Sequence, residues 1–230
     1  MFKNLFKKNG GLKTEIVPEI VVNNGSADEK EAYTKLKDNV LYFSDNGKNK
    51  VFQVESSVSG EGKSAAVANL AVALAGNGKK VAVADLDFRA QKQYEIFKTL
   101  NAYGIVEYVS GECSYSQLIK ETEYGVDVIN RGKVASNASV VFMSDTFKSL
   151  IEKLKEEYDF VLFDCPAVLE ASDYIHITKF SDGVIFVVSK DVVRRSQVKE
   201  AVAALKKSGA NVMGTVVTET SKRGFGKTGF

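Results

Sequence analysis

The sequence predicts an α/β fold, a doubly wound and mostly parallel sheet with helices on both faces. Short β-branched runs alternate with helical segments along most of the 230 residues, and strands separated by helices of this length pair in parallel. A glycine-rich turn follows one predicted strand, and aspartates follow two others. We expect these residues at the carboxyl edge of the sheet, where doubly wound folds bind their ligands.

Each element is predicted from its pattern of apolar residues. Helical spacing predicts a first helix from Asp28 to about Phe43, with Ser26 or Asp28 as its N-cap. The later strands are predicted over 50–55, 81–85, 126–129, 160–164, 183–188 and 211–217. The helices among these strands are predicted over 63–75, 146–157 and 195–207.

The chain divides into three predicted parts. Residues 1–26 are polar and rich in turn-forming residues, which predicts a flexible leader. Residues 27–218 form the α/β domain, and residues 219–230 form a flexible tail without tyrosine.

The composition excludes several classes of protein. Hydrophobic residues at 44% and charged residues at 26% exclude a disordered polymer and a membrane-embedded bundle. The net charge of +2 is too small for the basic surface of a nucleic-acid-binding protein, so we expect no nucleic acid partner. No apolar stretch approaches the length of about 18 residues that a membrane span needs, and we expect a cytoplasmic protein. Cys113 and Cys165 lack metal-ligand spacing, which predicts two reduced thiols.

The most informative segment is V-E-S-S-V-S-G-E-G-K-S, residues 54–64, which follows a predicted strand and opens a predicted helix. Backbone N–H groups of such a loop cradle phosphates, the lysine reaches the β- and γ-phosphates, and the last serine holds Mg²⁺. The strict pattern G-x-x-x-x-G-K-[ST] requires glycine where this chain has Ser57. The residues expected to contact the nucleotide are Ser59, Gly60, Glu61, Gly62, Lys63, Ser64 and Ala65.

Carboxylates follow two other predicted strands. Asp85 ends the strand 81–85 and Asp87 lies just beyond it, while Asp164 ends the strand 160–164. A nucleotide-bound Mg²⁺ needs an acidic group at this edge, directly or through its ligands. Arg89, two residues after Asp87, is assigned to a local ion pair.

Together, S-G-E-G-K-S at 59–64, D-L-D-F-R at 85–89 and F-D-C-P at 163–166 resemble the Walker A, Walker A′ and Walker B motifs of the bacterial tyrosine kinases. These BY-kinases of capsule and exopolysaccharide assembly share the P-loop fold of the MinD and ParA ATPases. The resemblance extends from about Glu31 to Val217. MinD and ParA relatives typically carry a second lysine where this chain has Val58, which favours the kinase interpretation.

The resemblance implies phosphoryl transfer from ATP to a tyrosine hydroxyl, with ATP and Mg²⁺ as cofactors. It implies that Asp85 takes the proton of the tyrosine, because a hydroxyl with a pKa of about 10 is protonated at neutral pH. The residues implied to be catalytic are Lys63, Asp85, Asp87 and Asp164. Those implied to hold the metal are Ser64, Asp85 and Asp164.

Two departures from the family pattern bear on assembly and base recognition. The first helix of the family carries E-x-x-R-x-x-R at a contact between protomers, whereas this chain has Glu31, Thr34 and Lys37. We expect a homo-oligomer weakened by Thr34 and Lys37, because neither makes the planar bidentate pairing of arginine. Thr218 replaces an asparagine that reads adenine in relatives, so we expect weaker base selectivity.

The predicted tail departs from the family as well. Phe225 and Phe230 lie in a glycine-flanked setting that relatives give to tyrosine, and phenylalanine has no hydroxyl to accept a phosphoryl group. The remaining acceptor candidates include Tyr33, Tyr42 and Tyr115.

The resemblance also implies a membrane-anchored polysaccharide co-polymerase or activator protein that recruits this chain to the inner face of the cell membrane. Two alternatives stay open. A MinD/ParA-like switch ATPase would hydrolyse ATP without forming a phosphoprotein. A non-catalytic ATP-binding regulatory subunit of the assembly machinery is favoured by the tyrosine-free tail and the altered first helix.

Overall fold

A computed structural model of the protein describes residues 6–8, 11–13, 17–90, 92–135, 137–218 and 228–229. The strands of these residues are β1 (Phe6–Lys8), β2 (Gly11–Lys13), β3 (Val51–Ser56), β4 (Val81–Asp85), β5 (Ile119–Glu121), β6 (Val126–Ile129), β7 (Phe160–Asp164), β8 (Gly183–Ser189), β9 (Val212–Thr218) and β10 (Thr228–Gly229). The helices are α1 (Val21–Asn24), α2 (Ala27–Phe43), α3 (Lys63–Gly76), α4 (Gln93–Ile96), α5 (Ile105–Val109), α6 (Tyr115–Leu118), α7 (Ala138–Phe142), α8 (Asp145–Glu157), α9 (Tyr174–Ile177) and α10 (Arg195–Lys207), with a 3-10 turn at Thr178–Phe180.

The central sheet has the strand order β10-β9-β8-β3-β7-β4-β6-β5 in the part of the chain that is described. The six strands from β9 to β6 are parallel to one another. The edge strands β10 and β5 are antiparallel to their neighbours. This confirms the predicted class, a mostly parallel doubly wound sheet.

Alternating side chains of the central strands bury two opposite faces of the sheet. On β7, Leu162 packs with Leu70 of α3 and Leu36 of α2, whereas Phe163 packs on the other face with Leu150 of α8. Helix α10 packs through Leu205 against β8 on the same side as α8. Helices therefore cover both faces of the sheet.

The long elements predicted from the sequence agree with the structure to within one residue at each end. The structure decides the N-cap of α2: the Oγ atom of Ser26 accepts the N–H of Glu29, whose carboxylate accepts the N–H of Ser26.

The sequence analysis missed β5 and the short helices α1, α4, α5, α6, α7 and α9, which have five residues or fewer. Residues 6–8, 11–13 and 17–26 of the proposed leader are described and contain β1, β2 and α1, whereas most of the proposed tail lies outside the described residues. The three-part division of the chain stays a prediction.

Buried Asn69 of α3 fastens the segment that precedes α2 to the domain. Its side-chain oxygen accepts the N–H groups of Val21 and Val22, at 2.7 and 3.2 Å. Its amide nitrogen donates to the carbonyls of Glu19 and Ala65, both at 3.0 Å. One side chain thus satisfies four backbone groups, two of which belong to the first turn of α1.

We predict that Asn69→Ala lowers the free energy of unfolding by about 2–3 kcal/mol, because it leaves partly buried backbone groups without partners. Urea denaturation followed by circular dichroism measures the change. Asn77→Ala, at the exposed end of the same helix, is the matched control. An effect of Asn69→Ala no larger than that of the control would contradict the assigned role.

Candidate nucleotide and metal site

The loop between β3 and α3 turns sharply at two glycines. Gly60 has a φ of +87° and Gly62, the N-cap of α3, has a φ of +90°. Side chains with a Cβ rarely adopt this left-handed region, which explains why glycine stands at both positions. The turn directs the loop into the first turn of α3, whose positive N-terminal end attracts anions.

Buried Glu61 holds this loop against the ends of two neighbouring strands. Its carboxylate accepts the N–H of Val58 within the loop at 2.9 Å and the N–H of Ser189 at the end of β8 at 3.0 Å. Its carbonyl accepts the hydroxyl of Thr218, at the end of β9, at 2.6 Å. The side chain of Glu61 therefore positions the loop, and the hydroxyl of Thr218 is committed to the same contact.

The two strand-end aspartates lie side by side. Asp85 and Asp164 are register partners in the parallel pair β4 and β7, and both side chains are fully buried. Burial raises the pKa of Asp85 well above its usual value, and the neighbouring Asp164 carboxylate raises it further. Burial also raises the pKa of Asp164, against the opposing effect of the Lys63 charge. Two carboxylates in one buried space disfavour joint ionisation unless a cation joins them.

Backbone groups of the turn after β4 orient the carboxylates. Asp85 accepts the N–H groups of Asp87, Lys92 and Gln93 at 3.2–3.3 Å. Asp87 accepts the N–H of Arg89 at 3.1 Å. The guanidinium of Arg89 forms the expected local ion pair, with buried Asp173, at 2.7 Å.

Buried Gln93 is a site residue that the sequence analysis missed. Its amide nitrogen donates to the Asp164 carboxylate at 2.8 Å and to the carbonyl of Ser64 at 3.1 Å. It thereby ties the end of β7 to the start of α3. No recognisable motif surrounds Gln93, because its role depends on a contact 71 residues away in the chain.

The structure brings Lys63, Ser64 and Asp164 together. Lys63 is buried, and both its charge and the hydroxyl of Ser64 counteract the effect of burial on the pKa of Asp164. Two other predicted contact residues have protein partners: Ser59 binds Glu170, and the carbonyl of Ala65 accepts the amide of Asn69.

The side chains present fit a divalent cation with a phosphate ligand. Within the described residues, Asp164 Oδ1, Gln93 Oε1 and Ser57 Oγ are buried without a hydrogen-bond partner. Carboxylate and hydroxyl oxygens are ligands that Mg²⁺ prefers, and Mg²⁺ takes only one or two carboxylates when phosphates supply the rest. The described residues contain no cluster of three or more Asp, Glu, His or Cys that could hold a metal alone.

Glu55 is a second residue that the sequence analysis did not single out. It lies fully buried on β3, accepts a hydrogen bond from Gln53, and has an oxygen, Oε2, without a partner in the described structure. Burial raises the pKa of Glu55 to about 8, although the charge of Lys63 lowers it in part. A carboxyl residue close to the apolar residues Val51, Phe52 and Val54 of the same strand was the available signal.

We predict that Glu55→Gln makes the protein more stable at neutral and alkaline pH. The folded state raises the pKa of Glu55 from 4.5 to about 8, so the stability that depends on the protonated form is present below pH 4.5 and is lost as the pH rises to about 8. Glutamine keeps the shape without the charge. Urea denaturation from pH 5 to about 9 should show the difference growing with pH.

Glu200→Gln, on the exposed side of α10, is the control for the Glu55 experiment. We expect its unfolding free energy to follow that of the wild type across the pH range. A Glu55→Gln variant that also follows the wild type would contradict the raised pKa.

A strand, a glycine-rich loop and a helix, with aspartates at the ends of neighbouring parallel strands, define a P-loop domain. The chain belongs to the AAA_31 family, described as an AAA domain, whose sequence profile matches residues 49–210. The relatives of this chain in turn include named kinases.

The tyrosine-protein kinase Etk of Escherichia coli K12 is 26% identical over 222 residues, 96% of this chain and 31% of Etk. The tyrosine-protein kinase CpsD of Streptococcus agalactiae serotype Ia is 28% identical, over 84% of this chain and 83% of CpsD. The solved kinase domain of E. coli Etk superposes with a TM-score of 0.84 at 25% identity, over 94% of this chain and 88% of that domain.

These comparisons confirm the resemblance to bacterial tyrosine kinases that the motifs indicated. The MinD protein of Pyrococcus horikoshii, solved in complex with Mg-ADP, has the same fold, with a TM-score of 0.61 at 24% identity over 73% of this chain and 69% of MinD. The chain spans less than a third of the length of Etk. None of the described helices combines the length and the apolar character needed to cross a bilayer.

Proposed function

We propose that the protein is an ATP-dependent protein-tyrosine kinase that regulates the assembly or export of a capsular or extracellular polysaccharide. The observation that carries this proposal is the buried Asp85 and Asp164 pair beside Lys63 at the end of the phosphate loop. The similarity to Etk and CpsD, both named tyrosine-protein kinases, supports the choice of substrate.

In the proposed mechanism, ATP would supply the phosphoryl group and Mg²⁺ would balance the charge that develops on it. Ser64 and Asp164 would hold the cation, and Lys63 with the loop backbone would hold the phosphates. Asp85, which could also contact the cation, would accept the proton of the tyrosine hydroxyl as a carboxylate, because a bound cation would offset the burial that otherwise raises its pKa. Asp87 supports the turn that orients Asp85.

We propose Tyr42 of a second copy of the chain as an acceptor. Its side chain is 82% exposed at the end of α2. Tyr33, in contrast, is buried, and the hydroxyl of Tyr115 donates to Glu157 at 2.6 Å. In the transfer, the phenolic oxygen would bond to the γ-phosphorus while the bond from that phosphorus to the bridging oxygen breaks. ADP would leave with that electron pair, and the proton of the hydroxyl would pass to Asp85.

We predict that Mg-ATP produces phosphotyrosine in the purified protein and that Lys63→Met abolishes it. Tyr42→Phe should remove most of the signal, whereas Tyr103→Phe, at the moderately exposed Tyr103, should leave it. Mass spectrometry after incubation, with and without the cytoplasmic fragment of a candidate membrane activator, measures both. ATP turnover without phosphotyrosine would favour the switch ATPase, and nucleotide binding without turnover would favour the regulatory subunit.

We further propose that a membrane-anchored activator recruits the protein to the inner face of the cell membrane, where it acts as a weak homo-oligomer. Residues of α2 at the family's protomer contact have partners within the chain, which supports weak self-association. Glu31 pairs with Lys35 at 2.5 Å, the hydroxyl of Thr34 donates to a carbonyl of its own helix at 2.8 Å, and Lys37 pairs with Asp38 at 3.2 Å.

A further inference from the structure

The carboxylate of Glu170 binds the phosphate loop from the side. It accepts the N–H of Ser59 at 2.7 Å and the hydroxyl of Ser59 at 2.6 Å. Ser59 opens the segment that we expect to contact nucleotide, and both side chains of the pair are exposed. A carboxylate that accepts two hydrogen bonds from one residue presents two anionic oxygens to it, as a phosphate group would.

The backbone places Glu170 beside the loop independently of its own side chain. After β7, the N–H of Val168 donates to the carbonyl of Ser56 at 2.9 Å, and the N–H of Leu169 donates to the carbonyl of Ser57 at 3.1 Å. These two backbone hydrogen bonds hold the segment that follows β7 alongside the start of the phosphate loop. The Glu170 side chain can therefore leave Ser59 by rotation while its backbone stays in place.

The charges around Glu170 are those expected to meet a nucleotide. Partial burial alone would raise the pKa of Glu170. The two hydrogen bonds from Ser59 and the charges of Lys63 and Arg89 outweigh burial, so the pKa of Glu170 lies below its usual value. Glu170 is thus held as an anion within the field of Lys63. A phosphate group arriving at the same cations would be repelled by this carboxylate.

We propose that Glu170 is an internal competitor for the phosphate site, which withdraws from Ser59 when nucleotide binds and so lowers nucleotide affinity. This inference rests on the nucleotide-binding part of the proposed function. Glu170 would thereby help to set the affinity for nucleotide, a role that no sequence motif indicates. Glu170 would compete with a phosphate group of the nucleotide.

The test measures binding of fluorescent methylanthraniloyl-ATP with Mg²⁺ to the full chain. We expect Glu170→Gln and Glu170→Ala to bind about five- to tenfold more tightly than the wild type, because each removes the competing charge. Glu29→Gln is the matched control, since the Glu29 carboxylate accepts the N–H and hydroxyl of Ser26 in the same way, at the N-cap of α2. Its affinity should equal that of the wild type.

Hydrogen exchange without nucleotide gives a second readout. Glu170→Ala should accelerate exchange of the Ser59 amide relative to the wild type, because the amide loses its acceptor. Equal or weaker nucleotide binding by both Glu170 variants, or unchanged exchange at Ser59, would overturn the proposal. Absence of nucleotide binding in every protein, Glu29→Gln included, would instead overturn the proposed nucleotide function itself.

Discussion

The site depends on the register of β4 against β7, which sets the buried carboxylates of Asp85 and Asp164 next to each other. Burial and mutual repulsion both favour the neutral carboxyl form of Asp85. Such a pair is costly for a fold to keep, since apolar residues would pack there more readily. Lys63 and Gln93 compensate part of the cost at Asp164, which explains why the loop, α3 and α4 meet at this point.

Glu61 links this edge to the other half of the sheet. It is buried, yet its carboxylate is satisfied by N–H groups of the loop and of β8. Together with Thr218 it anchors a glycine-containing loop that would otherwise have considerable conformational freedom. The conformation of the phosphate loop therefore depends on strands β8 and β9 as well as on its own sequence.

The sequence analysis predicted the elements and site residues that are marked by a pattern of neighbouring residues. Strands β4, β6 and β7 have the predicted ends because buried parallel strands appear as short runs rich in apolar residues, and helix α10 has them because it is long enough to show a helical period. Helices of four or five residues complete little more than one turn and show no such period. Motif spacing also pointed to Asp85 and Asp164, whereas Gln93 and Glu170 act through contacts 71 and 111 residues apart in the chain, which local pattern does not record.

The balance of charge gives a physical reason for proposing a metal complex of the nucleotide and not the free nucleotide. Glu55 and Asp164 are buried near the charge of Lys63, Asp85 is buried beside Asp164, and all three carboxyl groups have raised pKa values. A bare triphosphate would add negative charge to a space whose carboxyls already resist ionisation. A divalent cation reverses this relation, because it favours the ionised carboxylates and the phosphates together. The same surplus of acidic groups that destabilises the isolated domain would then contribute to binding.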